Sequence, residues 1–394
     1  MSVRSIARSP FRSVLLLAIL AACAGETAAP SPVQLARGGA RPLATLEWNG
    51  IARDMIAKHK PNQQAAQRAM AYLTLAQFTA ASEARDLPPA PITTQGAIAA
   101  ASATVLAYAF PADSAAFHAG VEARAVALAP GRDRAFRQGM ALGNAIGARA
   151  VSLAKADRFS APWTGTVPTG PGIWFSSTTP PTPPALPMLG QMEPFLMATG
   201  SQFRSAPPPA FGSPAFAEAL GEVRQIALTR TAAQDSIAKF WAMGTGTLIA
   251  GFWNETAVDI IARERLNERD AARALALMNV ASMDALIACA DGKFAYWLIR
   301  PSQADPTFPL AIGLPNFPSY PSNHACFSGA AAYVLGALFP DDRQRLEAMA
   351  YEAGMSRTYG GIHYRFDSDA GLEIARKVTE LTLAAGDDVA GLLQ

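Results

Sequence analysis

Residues 320–329 read Tyr-Pro-Ser-Asn-His-Ala-Cys-Phe-Ser-Gly, and the apolar run that follows continues to Phe339. Ser322 comes just after a proline and just before a helical pattern, where an N-cap belongs. The first-turn N–H groups and the dipole of such a helix end attract an anion. A plain cap beside an ordinary histidine, His324, is the simpler reading. The choice between them depends on what else the chain brings to this point.

Two further elements flank it. Upstream, Lys293-x6-Arg300-Pro301 puts two cations close to two helical turns apart, which predicts that both project from one helix face and that Pro301 ends the helix. The flanking FAYWLI is apolar, so the pair is expected to face a cleft rather than water. Downstream comes Ser356-Arg357-x5-His363-x3-Asp367. Its Gly360-Gly361 predicts a tight loop, and the i, i+4 spacing of His363 and Asp367 predicts a shared helix, with the carboxylate fixing the ring's tautomer. Together Lys293, Arg300 and Arg357 give three positive charges beside a helix N-terminus and two histidines. That set suits a tetrahedral oxyanion and in-line chemistry upon it.

In this order the three elements resemble the signature of the superfamily of type 2 phosphatidic acid phosphatases and vanadium-dependent haloperoxidases, K-x6-R-P, P-S-G-H and S-R-x5-H-x3-D. The match is residue for residue except at Asn323, where that superfamily usually has glycine. The resemblance implies that His363 is the direct vanadium ligand or the phosphorylated nucleophile, oriented by Asp367, and that His324 is the acid or base. It implies that Lys293, Arg300, Ser322 and Arg357 hold the oxygens, with the Asn323 side chain either crowding the anion or adding a donor. GPGIWFSSTTPP, the PF…QFR…PPP stretch and KFW…GFWNETA are similar to the soluble bacterial haloperoxidase-like branch, so the likeness covers roughly residues 158–375. Phe317 matches an aromatic position lining the halide pocket of fungal chloroperoxidases; core packing explains it equally well. The fold implied is all-α, two four-helix bundles, with vanadate as cofactor and peroxide and halide as small-molecule partners. A secreted acid phosphatase acting on a phosphate ester through a phosphohistidine is the alternative. A non-catalytic surface lipoprotein with a degenerate site is a third.

Composition agrees with a globular, mostly helical chain: 394 residues, half of them apolar and 16% charged. Arg4, Arg8 and Arg12 precede VLLLAILAA, an apolar run of nine, far short of the roughly 20 residues that cross a bilayer, and therefore read as an export signal. Leu20-Ala21-Ala22-Cys23 resembles the lipobox of bacterial lipoproteins, which predicts acylation of Cys23 and a periplasmic or cell-surface location; a plain secretory signal is the alternative. Loss of residues 1–22 removes three arginines and no acid, taking the net charge from +2 to −1, so the count leaves no basic surface for nucleic acid. Two cysteines then remain, Cys289 and Cys326. An oxidising compartment permits a disulfide between them, and buried free thiols are the other reading.

Residues 23–42 read as a flexible tether. Helical pattern over 43–157, broken at Lys60-Pro61, at 87–91, at Pro111 and at Pro130-Gly131, predicts four helices in a first bundle. His59 and His118 fall there without acidic or cysteine neighbours in sequence. Residues 158–214 hold too much proline and glycine for helix, yet carry Trp163, Trp174, Phe175, Phe195 and Phe203, so they read as an ordered wrap rather than a linker. Residues 215–394 supply the site-bearing bundle. For His324 the sequence offers Asp284 as one partner, with a structural ion pair as the other use of that acid.

Overall fold

A computed structural model describes residues 43–243 and 246–394. The expected export signal, the tether and Cys23 lie outside the described residues. Among the described residues the fold is all-α, with thirteen α-helices and no strand beyond one isolated bridge between Ile173 and Leu298.

The first part contains α1 (Ala44–His59), α2 (Gln63–Ala84), α3 (Ala90–Ala109), α4 (Ser114–Val126) and α5 (Arg132–Ala156). That is five helices where four were expected, because each of the four proline or glycine breaks ends a helix and four breaks separate five segments. The breaks are physical: Phe110 leaves helical geometry before Pro111, and Gly131 takes a φ of 87° that a side chain resists. Glycine has a second use between α3 and α5. A Cβ on Gly139 would lie 1.9 Å from the Thr93 carbonyl oxygen, and one on Gly143 2.1 Å from that of Ala97, so the two backbones meet directly.

Between α5 and α6 (Pro214–Thr229) there is no α-helix, only a 3-10 turn at Leu189–Gln191. Trp174, Leu189, Met192 and Met197 from this segment are nevertheless buried, and the Trp174 ring lies 6.1 Å from that of Trp297. Asp284 explains part of the attachment. Its carboxylate accepts from the amides of Phe195 at 2.8 Å, Leu196 at 2.9 Å and Met197 at 3.2 Å. Asp284 is thus an anchor for the segment, neither a partner of His324 nor half of an ion pair.

The remaining helices are α7 (Ala232–Met243), α8 (Leu248–Glu264), α9 (Glu268–Tyr296), α10 (Pro301–Ala304), α11 (Asn323–Leu338), α12 (Arg343–Tyr359) and α13 (Arg365–Ala385). The 29-residue α9 is long and apolar enough to cross a membrane by composition, but here it is the core helix, packed on α2 along one side and on α11 and α13 along the other. A helix covered all round has no polar stripe to show. α11 in turn packs on α12 and α13, which brings the last turn of α9, the start of α11, the end of α12 and the start of α13 to one place. His59, expected without acidic company, meets Asp113 at 2.5 Å across the α1–α4 junction, while Lys58 takes the other oxygen at the same distance. The pairing is long-range in sequence and invisible to a local reading.

Candidate oxyanion site

Lys293 and Arg300 do not share a helix face. α9 stops at Tyr296 because Trp297 turns left-handed, with φ 51°, and Arg300 sits in extended backbone as the cap of the short α10, so Pro301 opens a helix rather than ending one. The extended link is held by hydrogen bonds from the Ile299 amide to Gly172 O and from the Trp174 amide to Trp297 O. Both cations still end up buried. Lys293 Nζ donates to the carbonyls of Pro318 at 3.1 Å, Ser319 at 2.7 Å and Pro321. An ammonium has three donors, so Lys293 is fully engaged in shaping the loop that leads into Ser322, and it contributes charge rather than a free N–H. Burial lowers its pKa to about 8.

The Arg300 guanidinium donates from Nε to Phe317 O at 2.9 Å and from Nη1 to Ile362 O at 2.8 Å, and Nη1 also faces His363 Nε2 at 3.0 Å. Its Nη2 is buried without a partner. The half-buried Phe317 ring lies 5.2 Å from Lys293 Nζ and 5.0 Å from Arg300 Cζ, in contact distance of both cations.

His363 precedes α13 instead of lying on it. The i, i+4 contact with Asp367 is made across the start of the helix, His363 Nδ1 to Asp367 Oδ2 at 2.7 Å. The same oxygen accepts from Ser319 Oγ at 2.5 Å and from the Tyr364 amide at 3.2 Å. An arginine only donates, so the contact with Arg300 requires a lone pair on His363 Nε2, and the proton sits on Nδ1 facing the carboxylate. Burial, and then the field of Arg300 and Lys293, holds the ring well below the usual histidine pKa. Burial pushes the Asp367 carboxyl up to about 7 against the hydrogen bonds it receives. The ring is therefore neutral with its basic nitrogen directed at the cations.

Ser322 occupies the N-cap position of α11, but its hydroxyl makes no bond to the helix and is buried without a partner. Its amide donates to Asp367 O at 2.9 Å, tying the start of α11 to α13. The two helices touch closely here: a Cβ on Gly371 would lie 2.8 Å from Ser322 O and 2.8 Å from Ala325 Cβ. Asn323 is buried and its Oδ1 has no partner. The half-buried His324 directs Nε2 to Trp241 O at 2.9 Å, and Arg357, in the last turn of α12, gives Nη2 to Ala238 O at 2.8 Å and Nε to Ser356 Oγ at 2.9 Å. Burial lowers Arg357 to about 9 and, with Arg357 itself next in effect, holds His324 well below the ordinary value.

Arg300, Asp367 and His363 are thus in direct contact, Lys293 shapes the loop before Ser322, and His324 and Arg357 meet through α7. Cys289 and Cys326 are free and buried behind the loop, with Cys289 Sγ 3.5 Å from Pro321 O, so no disulfide joins α9 to α11. Sequence reasoning named Ser356 only as part of its motif and missed Ser319, Trp241 and Ala238. The last two contribute only backbone carbonyls, which have no residue signature. Among the described residues no three His, Cys, Asp or Glu side chains gather as a metal cation would require. Left without partners here are the donors Arg300 Nη2 and Ser322 Oγ and the acceptors Asn323 Oδ1 and Asp367 Oδ1, beside a helix start whose first-turn N–H groups have no partner inside the helix.

Residues 272–385 match the PAP2 superfamily. That span carries every cation and histidine of the site. Among solved structures, the chain is similar to a bacterial vanadium-dependent iodoperoxidase, with a TM-score of 0.73 and 22% identity over 88% of this chain and 97% of that one. It is also similar to a bacterial vanadium-dependent chloroperoxidase, with a TM-score of 0.69 and 13% identity over 84% and 93% of the two chains. At such identities these likenesses establish the all-α fold. A non-specific acid phosphatase of Providencia stuartii is 37% identical over 57 residues, 14% of this chain and 23% of that protein, so the chain matches less than a quarter of that relative's length.

Proposed function

We propose that this PAP2-type site is that of a vanadium-dependent haloperoxidase-like enzyme. The observation that carries the reading is that two buried donors, Arg300 Nη2 and Ser322 Oγ, have no partner, while the same guanidinium faces a His363 nitrogen held as a lone pair. Leaving such groups unpaired costs about 1–3 kcal/mol each, and a tetrahedral oxyanion satisfies both at once. The residues fit vanadate in donor type and charge. His363 Nε2 would ligate it, Arg300, Ser322 and Arg357 would bond its oxygens, and Lys293 would add charge from behind. Bound vanadate would supply activation of hydrogen peroxide toward halide. The chain's own part is to keep His363 deprotonated at Nε2 through Asp367, to neutralise the anion in a site away from bulk water, and to carry a proton on His324.

Likeness over nearly the whole chain to the two peroxidases favours this reading; the short acid phosphatase match supports phosphate-ester hydrolysis as the second. In that case His363 Nε2 would attack phosphorus, the ester oxygen would leave with a proton from His324, and water would then hydrolyse the phosphohistidine. A bound dianion raises the pKa of His324 by opposing the cations around it, which makes it a competent acid only when substrate is present. One preparation assayed with and without orthovanadate for bromide oxidation and for hydrolysis of p-nitrophenyl phosphate decides between them. Bromination that requires vanadate supports the first; vanadate-inhibited hydrolysis without bromination replaces it with the second. The third reading, a degenerate site, requires that orthovanadate not bind at all in calorimetry. Export and anchoring through acylated Cys23 are likewise proposals, tested by fatty-acid labelling of the wild type against Cys23→Ser.

A further inference from the structure

His324 has a partner that no spacing in the sequence shows. Its Nε2 lies 2.9 Å from the carbonyl oxygen of Trp241. A carbonyl only accepts, so Nε2 carries the proton, and on the neutral ring Nδ1 keeps the lone pair. The acceptor is available for a simple reason. α7 ends at Met243, and the last four carbonyls of a helix have no partner inside it. Three residues earlier on the same helix, Ala238 O takes Arg357 Nη2. α7 therefore touches the site through its backbone, and what holds that backbone in place is the packing of its side chains.

Ala238 and Trp241 are the buried residues among those described in α7. The Trp241 indole packs against Phe252 at 5.2 Å and Trp253 at 6.4 Å between ring centres. Its Nε1 donates to Glu352 Oε1 at 2.9 Å, on α12, five residues before Arg357. A continuous set of contacts thus runs from the Glu352 carboxylate to the indole of Trp241, through that residue's own carbonyl, to the ring of His324.

Resting on the reading of His324 as the proton carrier of the site, we infer that Trp241 and Glu352 are positioning residues that fix His324 as the Nε2–H tautomer, so that its proton moves to and from substrate through Nδ1. Glu352 touches neither the ring nor an anion. It acts by holding the indole, and hence the carbonyl, at the angle that keeps Nε2 engaged.

The chain has four histidines, so nitrogen-15 shifts of the labelled, ligand-free full chain resolve the His324 ring. The expected spectrum shows Nε2 protonated and Nδ1 unprotonated. Glu352→Ala is expected to mix the tautomers, shift the limb of the pH–rate profile that reports His324, and lower kcat about tenfold with KM within about twofold, the lower end of what an outer partner of a catalytic group is worth. Glu352→Gln keeps an acceptor for the indole and is expected to recover most of the loss. Trp241→Phe removes the same hydrogen bond from its other end, so the double variant is expected to be no worse than either single one. A wild-type His324 protonated at Nδ1 overturns the tautomer assignment. Wild-type nitrogen shifts and pH profile in Glu352→Ala overturn the role of Glu352. Because the shifts are read without ligand, a protein that transformed neither substrate would retire the site reading while the tautomer still stood or fell on its own spectrum.

Discussion

Gly371→Ala separates stability from function at this site. The new Cβ would sit 2.8 Å from Ser322 O, 2.8 Å from Ala325 Cβ and 3.1 Å from the Cys326 amide nitrogen. Comfortable contact needs roughly 3.5 Å, so α11 and α13 must part by about 0.7 Å at the point where α11 begins. Overpacking of that kind costs about 1–3 kcal/mol, and alanine in place of glycine inside a helix returns about 1 kcal/mol. The net loss is then about 0–2 kcal/mol, a fall in Tm of a few degrees at most for a chain of this size. The functional cost is larger in proportion. Ser322 and the first-turn amides move as a unit away from Arg300 and His363, and a weakened charge-assisted hydrogen bond is worth about 1.5 kcal/mol, or about tenfold in orthovanadate affinity. Calorimetric titration with orthovanadate beside a thermal melt measures both. Wild-type affinity together with a wild-type melt would refute the argument, because it would show that the α11–α13 contact does not set the position of the site.

His363→Ala is expected to abolish orthovanadate binding in calorimetry, whereas Asp367→Ala, which removes only the group that orients the ring, is expected to weaken it about 10- to 100-fold. Sulfate, a tetrahedral dianion that does not itself titrate in this range, is expected to bind fully below about pH 7 and progressively less as the pH rises through 8. The reason is that burial lowers Lys293 to about 8 and the anion favours its protonated form, while the guanidinium of Arg357 keeps its charge; titrations from pH 6 to 10 test it. Asp284 gives a stability signature of the opposite group. Its folded carboxyl, raised by burial to about 6 from 3.8, holds a proton the unfolded chain has already released, so the wild type should lose about 3 kcal/mol relative to Asp284→Asn as pH climbs from about 4 to above 6, measured by denaturant unfolding.

The sequence by itself determined that the fold is helical and nominated the side chains of the candidate site. Lys293, Arg300, Ser322, Arg357, His363 and Asp367 are all buried in one region, and the spacing of types was enough to nominate them, because a charge is buried only where something offsets it. Their roles were legible less evenly. Spacing alone placed Lys293 and Arg300 on one helix face and His363 on a helix, and both placements fail because a left-handed Trp297 and the break after Tyr359 redirect the chain, conformations that cost little locally and are chosen by packing. Only the tertiary structure decided that Lys293 is consumed by three carbonyls, that the Ser322 hydroxyl is left free, and that His324 answers to α7. The Lys293 and His324 contacts are made to backbone carbonyls, which every residue carries alike, so no pattern of side chains can announce them. The position of such an atom is fixed only when distant helices pack.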